Sequence, residues 1–132
     1  MGEIMSDANL LKRLDKLESI EAIRTMVARY AEGADLKNDP VILGSLFAED
    51  AVWEANGFGQ YSGAKNIAEG LSEIARNAIH WSLHYMISPK ITIDESGEEA
   101  TCDWYLWELA RVSENQEPAK AHAEYILKIE KY

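Results

Sequence analysis

The chain has 132 residues, 47% hydrophobic and 27% charged, a balance that fits one globular domain long enough to bury a core. Its formal charge of −10 excludes a nucleic-acid partner, because phosphate recognition requires a basic footprint. No apolar run approaches the roughly 20 residues that span a bilayer, the charged opening "MGEIMSDANLLKRLDKLES" has no signal-peptide core, and Cys102 is the single cysteine. A cytoplasmic protein with no membrane partner and no disulfide is therefore expected.

Helical spacing dominates the first third of the chain. From Asn9 to about Ala34, apolar residues recur at Leu10, Leu14, Leu17, Ile20, Ile23, Val27, Tyr30, Ala31 and Ala34, with "Ser6-Asp7" available as an N-cap. "KNDP" stops this helix, since the residue before a proline avoids the α region. "PVILGSLFAED" reads as a short second helix with Pro40 in its first turn. "AVWEA" predicts a brief strand, and "NGFGQYSG" a turn-rich crossing with room for another. "AKNIAEGLSEIARNA" sets Ile67, Leu71, Ile74 and Ala78 on one face of a third helix.

The last 50 or so residues change character. "IHWSLHYMISPKITI", "EATCDWYLWELARV" and "AHAEYILKIEKY" are long β-type runs, separated by "DESG" and "SENQEP". Helices followed by an antiparallel meander give an α+β class. Alternation places Cys102, Trp104, Leu106, Glu108 and Ala110 on one face of the middle strand; Asp103, Tyr105, Trp107, Leu109 and Arg111 occupy the other. Both faces carry bulky apolar groups, whereas a sheet with one wet face alternates cleanly. One face is expected to meet the helices. The other is expected to meet a second subunit, in a homodimer or homotrimer.

Four polar positions stand out against this apolar pattern. Tyr30 lies near the centre of the first helix's stripe, so its ring is buried and its hydroxyl needs a partner. Asp35 falls at the stripe's edge, at a helix C-terminus already carrying partial negative charge. It either frays into solvent or has a use. His84 shares a strand face with His80, Ser82 and Met86, opposite Trp81, Leu83, Tyr85 and Ile87. Such a histidine is a core residue, a surface residue or a catalyst. The spacing of His80 and His84 superficially resembles a zinc helix, but Trp81 stands where that motif has Glu and the segment reads as strand, so no metal is expected. Glu108 interrupts "WYLWELA"; it is a carboxylate at a strand end or, if its face is the inner one, a buried acid. With no phosphate loop, nucleophile elbow or CxxC pair, cofactor-free acid–base chemistry remains possible.

The order of these elements resembles the nuclear-transport-factor-2-like fold in its SnoaL-like branch, a cone-shaped α+β barrel with one cavity. The resemblance spans nearly all of residues 1–132, read as a single domain. The strings around His84, Pro89 and Thr92 and around Trp104-Tyr105-Leu106 are most similar to the bile-acid 7-alpha-dehydratases. Scytalone dehydratases and hexachlorocyclohexane dehydrochlorinases are more distant by motif. The resemblance implies that Tyr30 is a cavity tyrosine, that Asp35 pairs with His84, and that Glu108 stands where the bile-acid enzymes have an aspartate. The small residues after Tyr30 would let the helix end approach the sheet. The family ordinarily adds one strand, often bearing a functional arginine, beyond the point where this sequence stops; no such arginine can be matched here. The implied function is a cofactor-independent lyase of the dehydratase type, with Trp53, Phe58, Met86, Trp104 and Leu106 lining a site for a hydrophobic small molecule. An isomerase or polyketide-cyclase-like enzyme with the same dyad, and a non-catalytic binding module, are the alternatives.

Overall fold

The computed structural model describes Ile4, residues 6–112 and the backbone of residues 124–131. The "SENQEP" junction lies outside the described residues. Helix α1 runs Asp7–Asp35, where the Ser6 hydroxyl accepts a hydrogen bond from the Asn9 N–H at 3.2 Å. The chain then turns through Lys37 and Asn38, both left-handed at φ 64° and 51°. Asp39 opens α2, Pro40–Gly44, by accepting from the N–H groups of Val41 and Ile42, each at 2.9 Å. Strands β1 (Val52–Ala55) and β2 (Gly59–Ser62) form an antiparallel hairpin, and α3 covers Ala64–Ala78. Strands β3 (Ile79–Ile93), β4 (Ala100–Val112) and β5 (Glu124–Lys131) form a second antiparallel sheet in that order. The helices pack on a curved antiparallel sheet, an α+β architecture.

The core sits where α2 and α3 meet. Leu43, Ile67 and Leu71 are its buried centre, with Tyr30, Phe47, Trp53, Tyr61 and Ile74 packed around them. Two glycines permit this closeness. A Cβ on Gly33 would stand 2.8 Å from Ile42 Cγ2 and 2.9 Å from Leu43 Cδ2, and one on Gly70 would enter the Tyr61 ring. The gap left by Gly33 is therefore filled by α2. It is Ala34, one residue on, that meets the sheet, its carbonyl accepting from the buried Ser82 hydroxyl at 3.5 Å.

Three expectations need correction. The second helix ends at Gly44 rather than continuing through "SLFAED", because the Ser45 hydroxyl donates to the Ile42 carbonyl at 2.6 Å and the chain turns there. His80 does not share the inner face with His84. The β3–β4 register slips between Ile79 and Trp81, which leaves His80 exposed and turns Ile79 toward the interior. The leucine stripe of α1 is not buried along its length: Leu10, Leu14 and Leu17 are 49–63% exposed, and burial begins at Val27. Periodicity reports which face is apolar, but a helix about 43 Å long overruns the layer that covers it.

Candidate active site

The site is built where α1 ends against the open edge of the sheet. In the order β3-β4-β5, strand β3 is at the edge, and among the described strands its outward backbone groups have no ladder partner. The end of α1 supplies partners. Lys37 Nζ donates to the Ile79 carbonyl at 2.7 Å, and the His84 backbone N–H donates to Asp35 Oδ1 at 2.7 Å. The same Oδ1 lies 2.9 Å from His84 Nδ1. Asp35 thus holds both the main chain and the ring of His84. An oxygen that already accepts from the backbone N–H serves the ring as an acceptor too, which puts a proton on Nδ1 and turns Nε2 toward the interior.

Opposite Nε2 stands Glu108. His84 and Glu108 are direct cross-strand partners on β3 and β4, so their side chains project together from the inner face. Nε2 and Glu108 Oε1 are 3.4 Å apart, and both side chains are largely buried. The imidazole is bracketed by two carboxylates, one from a helix end and one from the neighbouring strand. Glu108 thus stands within ion-pair distance of Nε2, at the ring nitrogen that Asp35 does not hold.

Tyr30 completes the polar part. Its hydroxyl accepts a hydrogen bond from Trp53 Nε1 at 3.0 Å, and its ring meets Phe47 edge-on at a centroid distance of 6.2 Å. Burial pushes its phenol above the ordinary value of 10.0; the Trp53 hydrogen bond opposes that rise and the Glu108 charge adds to it. Tyr30 is therefore a proton donor, not a phenolate, near neutral pH. A group whose folded pKa is raised stabilises the fold fully below its unfolded pKa, and that stability is lost as pH rises through the folded value. Between about pH 9 and about pH 11 the wild-type protein should lose more stability than Tyr30→Phe. Urea unfolding at the two pH values measures the difference in slope, and equal slopes would remove Tyr30 from the explanation.

These groups open onto a cavity of about 380 Å³. Tyr30, His84 and Glu108 are on its wall, and Asp35 stands behind His84. Trp53, Phe58, Met86, Trp104 and Leu106 all line it, with Phe58 at the partly exposed hairpin tip. Sequence reasoning missed Phe47, Ile79 and Asn38. Phe47 lay in a segment read as helix, and Ile79 reaches the cavity only because of the slip beside it. Asn38 reaches it from its left-handed turn while its amide donates to the Leu71 carbonyl at 2.8 Å. "KNDP" signalled a turn there, not a wall. Among the described lining residues none is Lys or Arg. Among the described residues no group of three or more His, Cys, Asp or Glu side chains could hold a metal ion, and no helix is long and apolar enough to cross a membrane.

A family model described as "SnoaL-like domain" matches residues 15–131. The chain belongs to the SnoaL-like domain family. No curated protein matches its sequence. Solved structures share the SnoaL-like chain's fold. Hexachlorocyclohexane dehydrochlorinase LinA-type3 from Novosphingobium barchaimii LL02 superposes with a TM-score of 0.74 at 21% identity, covering 89% of this chain and 74% of that one. A scytalone dehydratase-like protein from Novosphingobium aromaticivorans DSM 12444 gives 0.64 at 20% identity over 89% of this chain and 87% of that one. An NTF2-like protein with a cystatin-like fold from Novosphingobium aromaticivorans gives 0.59 at 20% identity, over 97% and 90% respectively. At these identities the likeness establishes the fold, as the element order implied, and leaves the chemistry to the residues of the site.

Proposed function

We propose that this SnoaL-like protein is a cofactor-independent lyase of the dehydratase type, acting on a hydrophobic, hydroxylated ring substrate. The observation that carries the reading is His84 held between Asp35 and Glu108 on the wall of an apolar cavity. Structural neighbours described as a dehydrochlorinase and as scytalone dehydratase-like support an elimination on a small ring. In the reaction, His84 Nε2 takes the proton from an acidic C–H once Glu108 holds its own proton or yields its place to substrate. The electron pair of that C–H bond forms the double bond, the C–O bond breaks, and the departing hydroxide is protonated to water. Tyr30 donates a hydrogen bond to the leaving oxygen or to a substrate carbonyl, and Glu108 supplies or stores the second proton. Asp35 fixes the ring and stabilises the imidazolium. The C–H proton taken by His84 equals the proton given by Glu108 to the hydroxide, and its transfer from His84 Nε2 to the neighbouring Glu108 restores both groups for the next turnover. An isomerase differs only in returning the proton to carbon, and analysing the product for loss of water separates the two.

The substrate should be uncharged. Glu54 and Glu108 line a largely apolar wall with no Lys or Arg among the described lining residues, so an anionic ligand would be desolvated beside like charge. Screening hydroxy-steroids and cyclic polyketide-like alcohols for loss of water tests the activity. In parallel titrations, neutral aromatic or alicyclic alcohols should quench the tryptophan fluorescence and small carboxylates should not. Quenching by the carboxylates alone would overturn the assignment. The outer face of the sheet, with Tyr105, Trp107 and Leu109 on β4, is proposed to join copies of the chain into a homodimer or homotrimer.

A further inference from the structure

We infer that Trp53 is a positioning residue for Tyr30: its indole N–H occupies the phenol oxygen at 3.0 Å and leaves the phenol's own proton to be offered to substrate. This rests on the reading that the Tyr30 hydroxyl meets the substrate oxygen. The direction of the bond is fixed by chemistry. Indole Nε1 is a donor only, whereas a phenol has one proton and two acceptor positions. With one position filled by Trp53, the hydroxyl keeps its donor function, and among the described residues no acceptor takes that proton. Tyr30 lines the cavity that also holds Glu108 and His84.

The indole is itself held in place from the far side. Trp53 and Tyr61 are cross-strand partners on β1 and β2, their rings 5.8 Å apart and tilted at 38°. Tyr61 can lie so close to α3 only because position 70 is glycine, since a Cβ there would occupy the ring. Gly70, Tyr61, Trp53 and Tyr30 therefore form one line of contacts from α3 through the hairpin to the end of α1. A hairpin pinned in this way aims the indole N–H, and the N–H aims the phenol. A donor on the phenol oxygen also polarises the O–H bond and strengthens it as a donor in turn. The Trp53 bond opposes the effect of burial on Tyr30.

The test is Trp53→Phe, which keeps an aromatic ring against Tyr61 and deletes the N–H. Protein made with 3-fluorotyrosine, in which Tyr30→Phe identifies one resonance among the six tyrosines, reports the phenol's titration by 19F NMR. The Tyr30 midpoint should move up by about one unit, in keeping with a lost hydrogen bond to a charged group. On a substrate found by the screen, kcat should fall about tenfold with KM within about twofold, because the lost bond acts on the transition state. In a Tyr30→Phe background the same change should cost little further. An unmoved midpoint overturns the proposal, and so does an undiminished loss of kcat in the Tyr30→Phe background, since such a loss would not pass through the hydroxyl. Should Trp53→Phe fail to fold, the wild-type Trp53 indole N–H resonance must follow the Tyr30 titration with the same midpoint; independence of the two is equally fatal. Failure of every screened substrate to react would count against the lyase reading alone, because the two titrations need no substrate.

Discussion

Asp35→Asn is expected to lower turnover by about 10²–10⁴ while leaving the fold nearly intact, the range that positioned proton transfer supplies. The amide has the carboxylate's shape, and its oxygen can still accept the 2.7 Å bond from the His84 backbone N–H, so the end of α1 should stay on the β3 edge. What it cannot do is stabilise an imidazolium, because the amide oxygen that then faces both the His84 N–H and Nδ1 carries no negative charge. His84→Ala should lose at least as much. The double mutant should lose little more than the worse single, as residues acting as a unit do. Stability of each variant by urea unfolding separates this from simple misfolding. If both single mutants keep wild-type turnover on a confirmed substrate, the dyad is dead, and Asp35 is only a cap on an edge strand.

Trp107→Asp is expected to abolish self-association, converting a dimer or trimer into a monomer by light scattering at micromolar concentration. The reason lies on the outer face of the sheet. Trp81, Leu83, Tyr85 and Ile87 on β3 and Tyr105 and Trp107 on β4 remain 38–48% exposed in the single chain. Tyr85 and Trp107 are direct cross-strand partners with rings 5.8 Å apart, so the patch is continuous across the two strands. Leu109 extends it, half-buried, toward the strand's end. Six large apolar side chains on one face form a patch of the kind that marks an interaction site on a monomeric surface. A carboxylate placed at its centre would be desolvated without a partner by any second copy, at a cost of several kcal/mol. Because Trp107 points away from the cavity, chemistry in an isolated protomer should survive the change if the cavity is complete in one chain. A wild-type protein that is monomeric at these concentrations would refute the interface and leave the patch without an occupant.

Much of the architecture follows from local pattern. The third helix and the two long strands β3 and β4 have periods and punctuation strong enough to set their limits within the sequence, and "Ser6" announces the start of α1 through a cap that needs no tertiary partner. Period-two alternation also decides that His84 and Met86 share one face of β3 and that Trp104, Leu106 and Glu108 share one face of β4, since a strand side chain has only two faces to choose from. Alternation cannot give register. That His84 stands opposite Glu108, and not two residues away, depends on slips at Ile79/Trp81 and Ile87/Lys90, and the first of these removes His80 from the same face. Nor does any local signal reveal that β3 is an edge strand, which is why its N–H groups were open to capture by Asp35. The Trp53–Tyr30 bond joins residues 23 apart in sequence on a helix and a hairpin, and is set by the closeness that Gly70 allows Tyr61. Residue types and faces are properties of a segment. The pairing of one nitrogen with one oxygen is a property of how segments are docked, and only the tertiary structure contains it.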